Sequence, residues 1–104
     1  MPIIEYVQPL TDEDRRRHSH RHEKGRVLQF VVQYETRIQG RWYPVVRYDT
    51  AHGFAHRDLM HRDGRVEKEL LHVKDFNEAL LYSETDLKIN WRKYKRRFMS
   101  ERMR

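Results

Sequence analysis

Apolar and polar side chains alternate most regularly between Val27 and Ile38. The apolar members of this alternation are Leu28, Phe30, Val32 and Tyr34, and the polar members are Gln29, Gln33 and Glu35. A period of two residues is typical of a β-strand, and a strand with one apolar side belongs to a sheet that buries one face. The segment therefore predicts a strand whose other face carries polar side chains.

A second strand is predicted for Trp42–Asp49, after the dipeptide Gln39-Gly40. A two-residue loop at this dipeptide would place Arg47 and Asp49 on the apolar face. A three-residue loop with Gly40 in the left-handed region shifts the register by one residue and turns both side chains outward. We favour the longer loop, because it sets three bulky residues opposite the apolar side of the first strand: Trp42, Val46 and Tyr48.

The rest of the sheet is predicted from shorter signals. Residues 1–10 begin with a short alternation that fits an edge strand, and residues 11–24 are polar and are predicted to form a loop or a frayed helix. Residues 55–60 and 66–73 flank Asp63-Gly64, a dipeptide typical of tight hairpins. Pro44 lacks an amide hydrogen, so it should lie at an edge or a bulge. The sequence predicts an antiparallel sheet of about four strands.

From Asp75 onward the apolar residues follow helical spacing. They are Phe76, Leu80, Leu87, Trp91, Tyr94 and Phe98. Asp75 is the expected N-cap, and Ser83 could cap a second helix if the segment breaks there. The chain therefore reads as one α+β domain over residues 1–104, with a long basic C-terminal helix packed on one face of the sheet.

Composition narrows the class of protein. The chain has 104 residues, of which 38% are hydrophobic and 37% charged, and it has no cysteine. Disulfides and thiolate metal sites are thereby excluded. No apolar run has the length of a membrane span, and residues 1–5 do not resemble a signal peptide, so we expect a cytoplasmic protein. The charged surface and the scarcity of asparagine are also typical of heat-adapted proteins.

The net charge of +6 is concentrated at the C-terminus. Residues 88–104 contain one glutamate and eight basic residues: Lys88, Arg92, Lys93, Lys95, Arg96, Arg97, Arg102 and Arg104. This excess is more than a helix dipole requires, and it favours a polyanionic partner. We predict that nucleic acid, most simply RNA, binds here through Arg92, Lys93, Lys95, Arg96 and Arg97. An acidic protein partner is the alternative.

The segment 47–58 combines proton-transfer and phosphate-binding side chains around Gly53. Histidine exchanges protons near neutral pH, and arginine holds oxyanions. In the first interpretation His52 and His56 act as acid and base in metal-free RNA cleavage, while Arg47 and Arg57 hold the phosphate. Asp49 would then orient an imidazole.

Two other interpretations of this segment stay open. In one, His52, His56 and Asp58 bind a divalent metal, with a histidine from residues 18–22 completing the shell. In the other, the residues only shape a bend: Asp49 accepts hydrogen bonds from it, His56 is an ordinary strand residue, and the arginines pair with Glu67 and Glu69.

His18, His20 and His22 are spaced so that a strand would align them on one side. Four arginines flank the three imidazoles, and their charge disfavours a bound cation. A solvated basic loop is therefore preferred to RNA contact, and RNA contact to a metal site.

The strand pair 30–34 and 42–53, with its Arg-Tyr-Asp-Thr-Ala-His-Gly motif, resembles small prokaryotic domains of unknown function. It is more distantly similar to TumE-type toxins of toxin–antitoxin pairs. The second likeness implies a compact α+β fold, ribonuclease activity and an antitoxin partner. The residues that match the motif, and to which it extends a catalytic role, are Arg47, Tyr48, Asp49, His52 and His56. Thr50 and Gly53 depart from the toxin pattern.

The sequence thus predicts a small RNA-interacting protein, in its strongest form a toxin-type, metal-independent endoribonuclease. No nucleotide, flavin or nicotinamide motif is present, so no cofactor is expected. The alternatives are a non-enzymatic module that binds nucleic acid or protein, and a histidine/carboxylate metalloprotein.

Overall fold

A computed structural model describes residues 2–101, and Arg102 and Arg104 of the predicted basic segment lie outside this range. The described residues form an α+β fold in which a six-stranded antiparallel sheet precedes one α-helix. The strands are β1 (Ile3–Thr11), β2 (Asp14–Glu23), β3 (Arg26–Ile38), β4 (Arg41–Asp49), β5 (His56–Met60) and β6 (Val66–Leu70). A 3₁₀ turn, Ala51–Gly53, joins β4 to β5, and α1 comprises Phe76–Ser100.

The strands lie in the sheet in the order in which they occur along the chain, so each pairs with its neighbours in sequence. The predicted number of about four strands was wrong, chiefly because β2 was expected to be a loop. β2 has no apolar period, but it pairs with β1 on one side and β3 on the other. Polar residues take the place of an apolar stripe on both faces of β2. Asp14 and His18 are buried on one face, and Arg15 pairs with Glu35 on the other.

The β3–β4 connection differs from the predicted three-residue loop. Gln39 and Gly40 form a two-residue turn, and both have positive φ (52° and 78°), as primed hairpin turns require. The register shift occurs later, where Pro44 and Val46 face adjacent residues of β3 and Val45 is the extra, bulged residue. Pro44 therefore lies beside a bulge, as predicted.

Beyond this bulge the predicted register is confirmed. Tyr34 pairs with Val46, and Gln33 pairs with Arg47, so Arg47 faces away from the core. Trp42 precedes the bulge and pairs with Arg37 on the opposite face from the one predicted. Moving the shift from the turn to residue 45 accounts for both outcomes.

α1 packs on β3 and β4, and the core lies between helix and sheet. The core residues are Phe30, Val32, Tyr34, Val45, Val46, Tyr48, Ala55, Ala79, Leu80, Leu87, Trp91 and Phe98. Asp75 caps the helix by accepting a hydrogen bond from Glu78 N. The helix does not break at Ser83, whose hydroxyl donates to Ala79 O within the helix. Among residues 2–101 no helix is long and apolar enough to cross a membrane.

Candidate functional site

The outer side of α1 carries an exposed row of basic residues, here called the basic strip: Lys88, Arg92, Lys93 and Arg96. Lys88, Arg92 and Arg96 follow one another at four-residue spacing, which places them along one side of a helix over about 12 Å. This side is opposite the buried stripe that includes Leu87 and Phe98. Within the described range, none of the four cations forms an ion pair with a carboxylate.

Two of the five helix residues that were predicted to bind phosphate are engaged in contacts with the sheet or its loops. The ammonium of Lys95 donates to the buried Asp14 carboxylate over 3.0 Å. Arg97 donates to Met60 O over 2.9 Å and pairs with Glu101. Both side chains flank the buried stripe of α1, so they reach toward the sheet rather than into solvent.

The positive surface continues beyond the C-terminal half of α1. The guanidinium of Arg62 lies 5.4 Å from the Phe98 ring centroid, and that of Arg41 lies 5.8 Å from the Tyr43 ring. The rings of Tyr43 and Phe98 are themselves neighbours, with centroids 6.3 Å apart. Arg41 at the start of β4 and Arg62 in the β5–β6 turn therefore add cations near the C-terminal end of α1.

The opposite side of the sheet, which α1 does not cover, is here called the open face. Its polar side chains form a connected network across β2, β3 and β4. Arg47 Nε donates to Gln33 Oε1 over 2.6 Å, and the Gln33 amide donates to Glu35. The same Glu35 carboxylate accepts from Arg15 and Arg17. The predicted polar surface exists, and Arg47 is one member of its network.

Asp49, His56 and Asp58 come together on the open face and are here called the Asp–His–Asp cluster. Asp49 on β4 pairs directly with His56 on β5, and Asp58 follows on the same side of β5. His56 Nε2 lies 2.7 Å from Asp49 Oδ1 and 3.8 Å from Asp58 Oδ1. His56 is only 1% exposed. One ligand atom from each residue lies within 4.8 Å of the others.

Neighbouring groups hold the cluster in place. Asp49 Oδ1 accepts a hydrogen bond from Ala51 N over 3.1 Å, as expected of a residue that shapes the bend. His56 Nδ1 faces Phe54 O at 3.3 Å, and Lys68 Nζ donates to Asp58 Oδ1 over 2.9 Å. The strand register thus positions the cluster, and the bend after β4 orients its first carboxylate.

The other predicted residues of this segment lie elsewhere. His52 is exposed in the 3₁₀ turn with φ of 68°, and its ring and that of His56 both neighbour Phe54. The described residues close enough to bind one metal ion are Asp49, His56 and Asp58. The sequence analysis had named His52 in place of Asp49. Cross-strand pairing explains this: a hairpin that pairs residue 49 with 56 excludes residue 52 from the same spot.

Tyr48 and Arg57 are on the helix side of the sheet. Tyr48 is buried, its hydroxyl donates to Asp86 over 2.7 Å, and burial raises its pKa well above the usual range. Arg57 donates to the hydroxyl of Tyr94 and pairs with Glu69 at 3.2 Å, as one interpretation of the sequence had it. Both side chains therefore connect the sheet to α1 or to β6.

The three histidines of β2 do align on one side of a strand. His18 is 4% exposed, its ring stacks on Tyr6, and its Nε2 lies 2.7 Å from His20 Nδ1. Burial, followed by the nearby charges of His20 and Arg16, lowers the pKa of His18 to about 4. His18 is consequently neutral near pH 7, and the polar loop expected here is a central strand.

Comparison with known families places the whole chain. The family model described as "Domain of unknown function (DUF7718)" matches residues 1–104. The chain belongs to the DUF7718 family. No curated protein and no solved structure matches it. The DUF7718 match agrees with the predicted likeness to a domain of unknown function, whereas the likeness to TumE-type toxins stays a prediction.

This DUF7718 chain thus presents two separate polar regions on opposite sides of its sheet. The basic strip offers exposed cations that pair with no carboxylate within residues 2–101 and that can bind phosphates. The Asp–His–Asp cluster offers one imidazole and two carboxylates with little exposure. The sequence did not single out the trio of Asp49, His56 and Asp58, although the spacing of a β4–β5 hairpin could have revealed it.

Proposed function

We propose that this chain is an RNA-binding module that holds the sugar–phosphate backbone along the basic strip. The observation that carries the proposal is the exposure of Lys88, Arg92, Lys93 and Arg96 without carboxylate partners in the described part of the chain. An unpaired surface cation keeps its full interaction with a phosphate, because no internal ion pair has to break first. Neutralising phosphates also releases counterions, which is the main source of such affinity.

The strip favours recognition of the backbone over recognition of base sequence. Its side chains are lysines and arginines on the outer side of a helix whose other side is buried against the sheet. The aromatic residues of the C-terminal half, Trp91, Tyr94 and Phe98, belong to that inner side, so they are not a platform for stacking bases. We therefore infer binding that depends strongly on salt and weakly on sequence.

Binding is better supported than cleavage. A general acid and base must both reach the ribose 2′-hydroxyl and the scissile phosphate. His56 is 1% exposed, whereas His52 is exposed, and their rings lie 5.7 Å and 6.4 Å from the Phe54 ring. The Tyr48 hydroxyl is buried on the other face of the sheet. We infer that this chain binds RNA without a catalytic pair formed by these two histidines.

The proposal is tested by comparing two triple variants that lose the same charge. Lys88→Gln, Arg92→Gln and Arg96→Gln remove three cations of the strip. Lys24→Gln, Arg26→Gln and Lys74→Gln remove three exposed cations near the N-terminal end of α1. Binding of a fluorescent, unstructured 20-nucleotide RNA is measured by anisotropy at 0.1 M salt. We expect the strip variant to bind about tenfold or more weakly, and the control to bind within about twofold of wild type.

Equal losses in both variants would show that net charge alone attracts RNA, and would contradict a localised interface. No RNA binding by the wild type, combined with binding of a polyglutamate peptide, would move the assignment to an acidic protein partner such as an antitoxin. Cleavage of cellular RNA in EDTA that disappears in His52→Ala would restore the ribonuclease hypothesis.

A further inference from the structure

The Asp–His–Asp cluster on the open face contains a buried ring nitrogen that hydrogen bonds among the described residues leave unsatisfied. His56 is 99% buried, yet its Nε2 has no hydrogen-bond partner among the described residues. Asp49 Oδ1 is 2.7 Å away but lies off the direction in which an Nε2–H would donate. Asp58 Oδ1, at 3.8 Å, is beyond hydrogen-bond reach.

The two carboxylates of the cluster are a second, independent sign of a cation-binding site, because their negative charge is buried and only partly compensated. Asp49 and Asp58 are 8% and 6% exposed, so both carboxylates have lost most of their hydration. Lys68 is the one described ammonium that donates to either of them, and its own side chain is half exposed. Buried carboxylates without full compensation are costly. A cation between the two carboxylates and the imidazole would remove that cost and would satisfy Nε2 through its lone pair.

We propose that Asp49, His56 and Asp58 form a binding site for one divalent first-row transition-metal ion, with Zn²⁺ as its best representative. An imidazole nitrogen and two carboxylate oxygens are all established zinc ligands. Their ligand atoms lie within 4.8 Å of one another, so small side-chain rotations bring all three to bonding distance of about 2.0–2.2 Å from a common ion. The contact of His56 Nδ1 with Phe54 O fixes the ring so that Nε2 faces the ion.

Lys68 makes the proposal specific. Its ammonium and the metal would compete for Asp58 Oδ1, because the two positive charges repel each other at that distance. Removing the ammonium should therefore strengthen metal binding. A purely structural role of the cluster predicts no such gain. The inference is also independent of the RNA proposal, since the basic strip lies on the other side of the sheet and a metal titration contains no RNA.

The experiment is a Zn²⁺ titration of tag-free, EDTA-treated protein, followed by calorimetry and by the rise in unfolding temperature. Co²⁺ serves as a spectroscopic probe, since a tetrahedral site gives visible d–d absorption. Asp49→Asn and Asp58→Asn each replace an anionic ligand oxygen by a neutral amide, a much weaker zinc ligand, with little change of shape. Lys68→Met removes the competing ammonium. The double variant His20→Gln, His22→Gln controls for metal binding by the histidines of β2.

We expect one Zn²⁺ per wild-type chain, binding at least tenfold weaker in each Asn variant, and binding several-fold tighter in Lys68→Met. The β2 double variant should bind as wild type does. The proposal is overturned by the absence of stoichiometric Zn²⁺ binding, or by binding that survives both Asn substitutions or is lost in the β2 variant. If the Asn variants do not fold, Lys68→Met decides: unchanged or weaker affinity contradicts the site.

Discussion

The ammonium of Lys95 on α1 donates a hydrogen bond to Oδ2 of Asp14 at the start of β2, over 3.0 Å. Asp14 is 1% exposed and also accepts from the hydroxyls of Thr11, Tyr34 and Thr36. Burial raises the pKa of Asp14, but these hydrogen bonds and the one from Lys95 outweigh it and leave the pKa below its usual value. This carboxylate therefore ties the C-terminal half of α1 to two strands.

The link between Lys95 and Asp14 predicts a stability effect without an RNA effect. Lys95→Met keeps the aliphatic stem and leaves the buried carboxylate without its cation, so we expect about 1–3 kcal/mol less stability in urea unfolding. RNA affinity at 0.1 M salt should change much less than in Arg96→Gln. A larger loss of RNA affinity in Lys95→Met than in Arg96→Gln would place Lys95 in the RNA interface instead.

His18 predicts a pH dependence of stability. Its folded pKa is about 4, below the unfolded value of 6.5, so the unfolded chain binds more protons between these values. The free energy of unfolding is therefore not reduced by His18 above pH 6.5, and it falls as the pH is lowered from 6.5 toward 4. From pH 7 to pH 5 we expect a loss of up to about 2 kcal/mol from this group.

The check is the free energy of unfolding of wild type and His18→Gln, measured by urea at pH 7, 6 and 5. The variant should lose less stability over this range, because it lacks the buried imidazole. Parallel curves for the two proteins would mean that His18 is protonated as easily in the folded chain as in the unfolded one.

Tyr48 separates structural from catalytic roles in the segment 47–58. Tyr48→Phe removes one of two hydroxyls that donate to Asp86, the other being that of Tyr94. We expect a loss of about 1 kcal/mol in unfolding free energy, and unchanged RNA affinity. Loss of an RNA-cleaving activity in Tyr48→Phe, at intact stability, would support the catalytic role that the toxin likeness implies.

The β3–β4 turn offers a stabilising substitution. Gln39 has φ of 52° immediately before Gly40, and asparagine tolerates this left-handed conformation better than glutamine does. We expect Gln39→Asn to raise the free energy of unfolding by about 0.5 kcal/mol. Thermal unfolding measures it, with Gln29→Asn, an exposed strand position, as the control that should not stabilise.

Much of the fold was predictable because β3 and α1 are specified by the regular spacing of their apolar residues. The stripe of α1 and the strand β3 both bury one side, so Phe30 and Trp91 could be assigned to the core from spacing alone. β2 could not be predicted in this way, since its buried residues are Asp14 and His18, whose burial depends on partners in other elements. A one-residue register shift was inferred from the need to bury Trp42, Val46 and Tyr48, but it was placed at the turn, because nothing local distinguished a longer turn from a bulge at Val45.

The candidate site was predictable in part for the same reason. The basic strip follows from composition, and its exposed members follow from the helical stripe. That Lys95 and Arg97 are engaged elsewhere depends on Asp14 and Met60, which are distant in sequence. Heat adaptation, an antitoxin partner and RNA cleavage stay predictions.

The most direct test of the RNA-binding account is the salt dependence of RNA affinity. With four phosphate contacts along the strip, the slope of log affinity against log salt for a single-stranded RNA should be about −3, since each contact adds roughly −0.7. Lys88→Gln, Arg92→Gln and Arg96→Gln together should reduce the slope by about 2. A wild-type slope near zero, or one that this triple variant leaves unchanged, would contradict the proposal that the strip holds the RNA backbone.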